Sequence, residues 1–195
     1  MLGAVVMGHG DAQGLRLPPA LAPIQVVIVP IPVRSKAGEE SASADTTASI
    51  NAAASQLHVA LTAAGVRSQV DTDPHQSPGW KFNHWELKGV PLRIDIGARD
   101  LAQGHAPYSR RDGRPKGIVT LGGADAVSTV KSVLDEIAVS MLVDSERRMM
   151  DAIDDVANYE ELVELWTDGY SSTSSGNRWA RVWWGDAHRV GRGRR

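Results

Sequence analysis

The chain has 195 residues, 42% of them hydrophobic and 23% charged, with a formal net charge of −2. That is enough for one ordinary domain with its own core plus extensions, and too apolar for a chain that stays unfolded. No apolar run approaches the length of about 18 residues that a membrane-spanning helix needs, and without cysteine there is neither a disulfide nor a thiolate zinc site.

The apolar opening, Met1 to His9, has no basic region before it and no small-residue cleavage site, so it does not read as a signal peptide. A cytoplasmic protein is the simplest reading. The small net charge hides three blocks. Residues 77–116 carry eight Lys/Arg against four Asp/Glu, residues 121–168 three against twelve, and residues 171–195 six against one. A basic block suits a polyanion, but an excess of this size also suits a solvated surface.

In chain order, residues 1–9 read as a strand-like apolar run that passes into a Gly- and Pro-rich connector ending at Pro23. In HGDAQG, His9 and Asp11 are a weak metal or acid/base signal. Ile24 to Val29 is a continuous β-branched run between Pro23 and Pro30, the pattern of a buried central strand in a parallel sheet. A polar loop over 32–44 follows. A helix is expected over 45–64, with apolar residues at Ile50, Ala53, Ala54, Leu57 and Leu61 and a stop at Gly65, and then a second strand over 66–70.

Residues 77–100, SPGWKFNHWELKGVPLRIDIGARD, are the most structured stretch. Ser77 suits an N-cap, Pro78 the first helical position and Gly89 the residue past the helix end, so a helix of about three turns is expected. Trp80, Phe82 and Trp85 read as its packing face, and His84 as a satisfied surface histidine. Leu92, Ile94 and Ile96 then alternate with Arg93 and Asp95, as in a half-buried strand. Gly97 ends that strand and presents Arg99 and Asp100 on a loop. A hairpin tip at RRDGRP, with strands near 106–109 and 117–120, precedes a helix opened by Gly122 and Gly123. Its spaced apolar residues run from Val127 to Leu142. This alternation predicts an α/β fold, a mixed, mostly parallel sheet with helices on both faces. Two acidic helices, over 145–156 and 159–166, form a C-terminal helical extension.

The run PGWKFNHWELKGVPLRIDIG, followed by a basic residue and Asp, resembles the anticodon-binding domain of prolyl-tRNA synthetases of the eukaryote-like and archaeal type. HGD followed by GLRLPP resembles the end of the catalytic domain in the same class II family, just after the motif whose arginine clamps ATP. The resemblance implies the tail of a catalytic domain and connector (1–23), an anticodon-binding domain (24–143) and a helical extension (144–170), while the last segment (171–195) departs from the family and reads as a disordered basic tail. It implies tRNA-Pro and the catalytic domain of the same enzyme as partners, a homodimeric full-length enzyme, and ATP and magnesium there rather than here. The ATP-clamping arginine would fall just before Met1, so the chain alone is expected to be inactive and to have no catalytic residue. The family commonly ends in a cysteine zinc site. Here the six histidines are scattered, and no structural zinc or other metal is expected.

The resemblance assigns the anticodon contacts to Glu86, Arg93, Arg99 and Asp100. Proline anticodons end in two guanines. A carboxylate can accept from guanine N1–H and N2–H₂, and an arginine can donate to O6 and N7, so two carboxylates and two bases form a suitable set. Arg99 stands where the family also has lysine. Lys81 and Lys88 are plausible phosphate contacts. The plainer reading is that Glu86 and Arg93 pair with each other on the surface. A free-standing tRNA-binding module acting in trans and a small unrelated α/β enzyme are the alternatives, although no nucleophile elbow, phosphate-binding loop or dinucleotide fingerprint is present.

Overall fold

The computed structural model describes residues 2–33, 40–169 and 179–182. The first of these form a helix, α1 (Leu2–His9), where the sequence reads as a strand. An apolar run serves either period. Here its backbone groups are satisfied within the run rather than by a neighbouring strand, and Met7 is left exposed. A short antiparallel hairpin follows, β1 (Gly10–Asp11) with β2 (Gly14–Leu15).

The central sheet begins with β3 (Val26–Pro30). The chain then runs through α2 (Glu40–Ala63), β4 (Ser68–Val70), α3 (Pro78–Leu87), β5 (Leu92–Ile96), α4 (Ala98–Gln103), β6 (His105–Arg110), β7 (Gly117–Thr120) and α5 (Gly123–Asp151). The strand order is β4-β3-β5-β6-β7. β3 pairs parallel with both β4 and β5, whereas β6 runs antiparallel to β5 and to β7. Four of the five strands therefore point the same way, as the α/β reading expects. The β6–β7 hairpin turns at the expected RRDGRP tip.

Val26 to Val29 are fully buried because β3 is covered on both faces. Val26 and Ile28 join the larger core with Ile50 and Leu61 of α2, Leu92, Ile94 and Ile96 of β5, and Val130 and Ile137 of α5. Val27 and Val29 face Trp85 and Phe82 of α3 and Val90. Each fully buried aliphatic side chain contributes about 1.5–3 kcal/mol, so the two faces together hold the sheet between α2 and α5 on one side and α3 on the other. β5 buries every second residue, Leu92, Ile94 and Ile96, and turns Arg93 and Asp95 toward the α3 face.

Two further elements differ from expectation. The segment after Gly97 is not a loop but the short helix α4, whose first backbone amide is capped by the Asp100 side chain at 2.9 Å. Helix α2 starts five residues before Asp45.

The chain divides into two units, residues 1–141 and 142–195, the first ending inside α5. In the second, the helix expected over 145–156 is replaced by the end of α5 and a strand, β8 (Ile153–Val156), followed by α6 (Tyr159–Gly169). β8 pairs in parallel with β9 (Trp179–Val182), where no regular structure was expected. Asp155 pairs with Arg181 across the two strands, a partner 26 residues away that helical periodicity cannot register. The rest of the expected basic tail, residues 171–178 and 183–195, lies outside the described residues, as do residue 170 of the expected extension and 34–39 of the loop before α2.

Candidate nucleic-acid interface

Helix α3 is set in place at both ends. Ser77 Oγ accepts from the Trp80 amide at 3.3 Å, Pro78 occupies the first turn, and Gly89, with φ 76°, follows the cap residue Lys88. On the inner side Asp71 collects two donors of the helix. Trp85 Nε1 donates to its Oδ2 at 2.8 Å, and Lys81 Nζ lies 3.0 Å from Oδ1 while donating to the Asp71 carbonyl at 2.8 Å. Burial by itself would raise the Asp71 pKa, but the hydrogen bonds from Trp85 and Lys81 outweigh it and hold the carboxyl below its usual value.

Lys81, read as a phosphate contact, thus lies inside and not on the surface. It is 4% exposed and spent on Asp71. The sequence carries no local sign of this, since the partner lies ten residues upstream across a loop. Lys88, the other candidate, is exposed, its Nζ resting 4.6 Å from the centre of the Trp85 ring. Trp85 and Phe82 pack inward as expected, but Trp80 is 47% exposed and stacks on His84 at 4.6 Å instead of joining the core.

Glu86 at the end of α3 and Arg93 on β5 meet directly, with Arg93 Nη1 donating to Glu86 Oε1 at 3.2 Å. Arg93 is engaged on every edge. Nε donates to Asp95 Oδ1 at 3.0 Å, Nη2 donates to Ser109 Oγ at 3.3 Å, and the guanidinium lies 3.9 Å over the Phe82 ring. Its side chain is only 11% exposed, whereas that of Glu86 is 48% exposed. The surface pairing of Glu86 with Arg93 is thus present, and it leaves the carboxylate facing solvent on a buried, immobilised guanidinium.

Asp95 and Ser109 were missed by the sequence reading. The signal for Asp95 was there: residues two apart on a strand share a face, so Asp95 had to stand beside Arg93. Burial pushes the Asp95 carboxyl up, against the pull of Arg93 and Lys116, and the nearby charge of Asp100 pushes it further. Arg99, exposed, and Asp100, half-buried, stand on the first turn of α4 just past the end of β5. One Asp100 oxygen caps that turn, so Asp100 is partly committed to structure.

The His9–Asp11 signal resolves into an ion pair. Asp11 binds Arg111, and among the described residues no three His, Asp or Glu side chains are grouped to hold a metal. Among the same residues no helix is long and apolar enough to cross a membrane.

Residues 25–132 match the family model described as "Anticodon binding domain". The chain is 42% identical over 188 residues to the chloroplastic/mitochondrial Proline--tRNA ligase of Arabidopsis thaliana, covering 94% of this chain and 31% of that one. It is 44% identical over 142 residues to the Proline--tRNA ligase of Mycobacterium leprae, covering 73% and 27%, and 39% identical over 164 residues to that of Rubrobacter xylanophilus, covering 84% and 32%. The chain spans about a third of the length of the curated relatives it matches. The Arabidopsis match leaves too few residues over to omit the second unit, so the similarity extends past the family model's limit at 132. With more than half of its residues inside that model, on a mixed sheet flanked by helices, the chain belongs to the anticodon-binding domain family.

Proposed function

We propose that this chain is the anticodon-reading portion of a proline--tRNA ligase and that it recognises the guanines of the tRNA-Pro anticodon. The observation that carries the reading is the Glu86–Arg93–Asp95 cluster, a half-exposed carboxylate held on a largely covered guanidinium on the α3 face of the central strand β5. Glu86 and Asp100 accept from the N1–H and N2–H₂ of a guanine, one base each. Arg99, exposed beside them, donates to O6 or N7. Arg93 has few donors left over, so it orients Glu86 and reaches a base only by giving up its contact to Glu86 or Ser109. Lys88 contacts a phosphate. The parent enzyme joins proline to tRNA in the cytoplasm as a homodimer. Its catalytic domain is this chain's partner and holds the ATP and magnesium.

Removing a carboxylate relieves repulsion of phosphates and strengthens nonspecific RNA binding, whereas losing a base-reading carboxylate weakens cognate binding. The two readings therefore differ in sign. Glu86→Ala, and Asp100→Asn to preserve the cap of α4, are expected to cost about 1–3 kcal/mol each with an anticodon stem-loop carrying GG and almost nothing with one carrying AA. Equal affinity of the unsubstituted chain for GG and AA at near-physiological salt would leave only a generic basic surface.

A further inference from the structure

The hairpin β1–β2 lies against the C-terminal end of α3 with almost no space between the two backbones. A Cβ added to Gly14 would come within 2.7 Å of the Leu87 Cα, and one added to Gly89 within 2.7 Å of the Leu15 Cβ. Both positions have positive φ, so glycine is required twice over. Asp11 in the hairpin grips Arg111 with both oxygens, at 2.9 Å from Nη1 and 2.6 Å from Nη2. The third nitrogen of the guanidinium, Nε, donates at 3.1 Å to the main-chain carbonyl of Glu86, and the Arg111 amide donates to the Pro91 carbonyl at 2.9 Å. Arg111 is 9% exposed.

The last carbonyls of a helix carry its partial negative charge, so a buried guanidinium there anchors them, here beside the Gly89 amide, which donates to the same Glu86 carbonyl at 3.0 Å. The carbonyl it takes is that of Glu86 itself. Glu86 is thus held from two directions, its side chain by Arg93 and its main chain by Arg111.

We propose that Asp11 and Arg111 are positioning residues for guanine recognition: Asp11 orients the Arg111 guanidinium, which fixes the main chain at Glu86 so that its carboxylate meets a base edge without reordering. This rests on the proposed reading of the anticodon. A contact made by a preorganised group retains the energy that would otherwise go into ordering it. Neither residue touches the RNA in this arrangement. Their effect passes through Glu86 alone.

The test uses the full chain with Asp11→Ala and, as a second variant that retains the charge, Arg111→Lys, whose single ammonium cannot grip Asp11 with two bonds and reach the Glu86 carbonyl. Circular dichroism and thermal melting establish that each is folded. Hydrogen exchange at the amides of Gly89 and Val90, which close the last turn of α3 onto Glu86 and Trp85, is expected to accelerate in both variants. Affinity for the GG stem-loop is expected to fall about 5- to 10-fold while affinity for the AA stem-loop stays constant. Adding Asp11→Ala to Glu86→Ala should then cost nothing further, because the two act as one unit, and Asp11→Glu should restore most of the loss. Unchanged exchange at Gly89 and Val90, an equal loss for GG and AA, or full additivity with Glu86→Ala would each overturn the proposal. Failure of the unsubstituted chain to distinguish GG from AA would instead overturn the anticodon reading, with the exchange measurement still judging whether Asp11 and Arg111 hold the helix end.

Discussion

Lys81 and Lys88 stand seven residues apart on one helix and its cap, yet only one of them is exposed. Lys88 is exposed over Trp85, whereas Lys81 is buried against Asp71. Lys88→Ala is expected to weaken GG and AA stem-loops equally and to reduce the salt slope of binding by about 0.7, the value for one single-strand phosphate contact. A loss confined to GG would make Lys88 a base contact instead. Lys81→Ala is expected to leave the salt slope unchanged and to lower stability by about 3–5 kcal/mol, since it strips one partner from a buried pair. Urea unfolding reads this directly, and a loss below about 1 kcal/mol would mean that the Trp85 bond alone anchors Asp71.

Among the elements, the β6–β7 hairpin depends most on one side chain. Asp112 is fully buried at its side chain and accepts from Arg110 Nη2 at 2.7 Å, from Ser140 Oγ of α5 at 2.6 Å and from the Arg114 amide at 3.3 Å. Burial alone would raise its pKa, but the hydrogen bonds from Arg110 and Ser140 outweigh it and hold the carboxyl below its usual value. A folded-state pKa below the unfolded one means stability that is complete above the unfolded value and lost as pH falls through the folded one. Asp71 adds in the same direction. Asp95 works the other way. Its raised pKa makes the charged form a cost that is relieved as pH falls. Asp112→Asn is therefore expected to destabilise the chain at pH 7 and to flatten the loss of stability below about pH 4. Urea midpoints at pH 7 and at pH 3.5 check this, and an acid limb identical to that of the unsubstituted chain would remove Asp112 as its source.

For the molecule as a whole, the chain spans about a third of its relatives' length. The purified chain is expected to bind an anticodon stem-loop without catalysing proline-dependent ATP–pyrophosphate exchange. Exchange above background would show that the reaction needs no more than these residues.

Much of this fold could be read in order along the chain because the signals act locally. Ser77, Pro78 and Gly89 cap and end α3 through bonds a few residues long, the alternation of Leu92 to Ile96 dictates which face each residue takes, and the β-branched run at Val26 to Val29 has no stable place but the middle of a sheet. The candidates Glu86, Arg93, Arg99 and Asp100 came from the family resemblance, and they follow one another from α3 through β5 to the first turn of α4. Local pattern failed where a distant partner chose the outcome. Lys81 became structural through Asp71, Asp155 entered a strand through Arg181, and Asp11, read as a weak metal or acid/base signal, pairs with a residue 100 positions later. Charge and periodicity describe what a side chain offers. Whether that offer goes to solvent, to a base or to a buried partner depends on which segments the sheet brings together, and only the tertiary structure decides it.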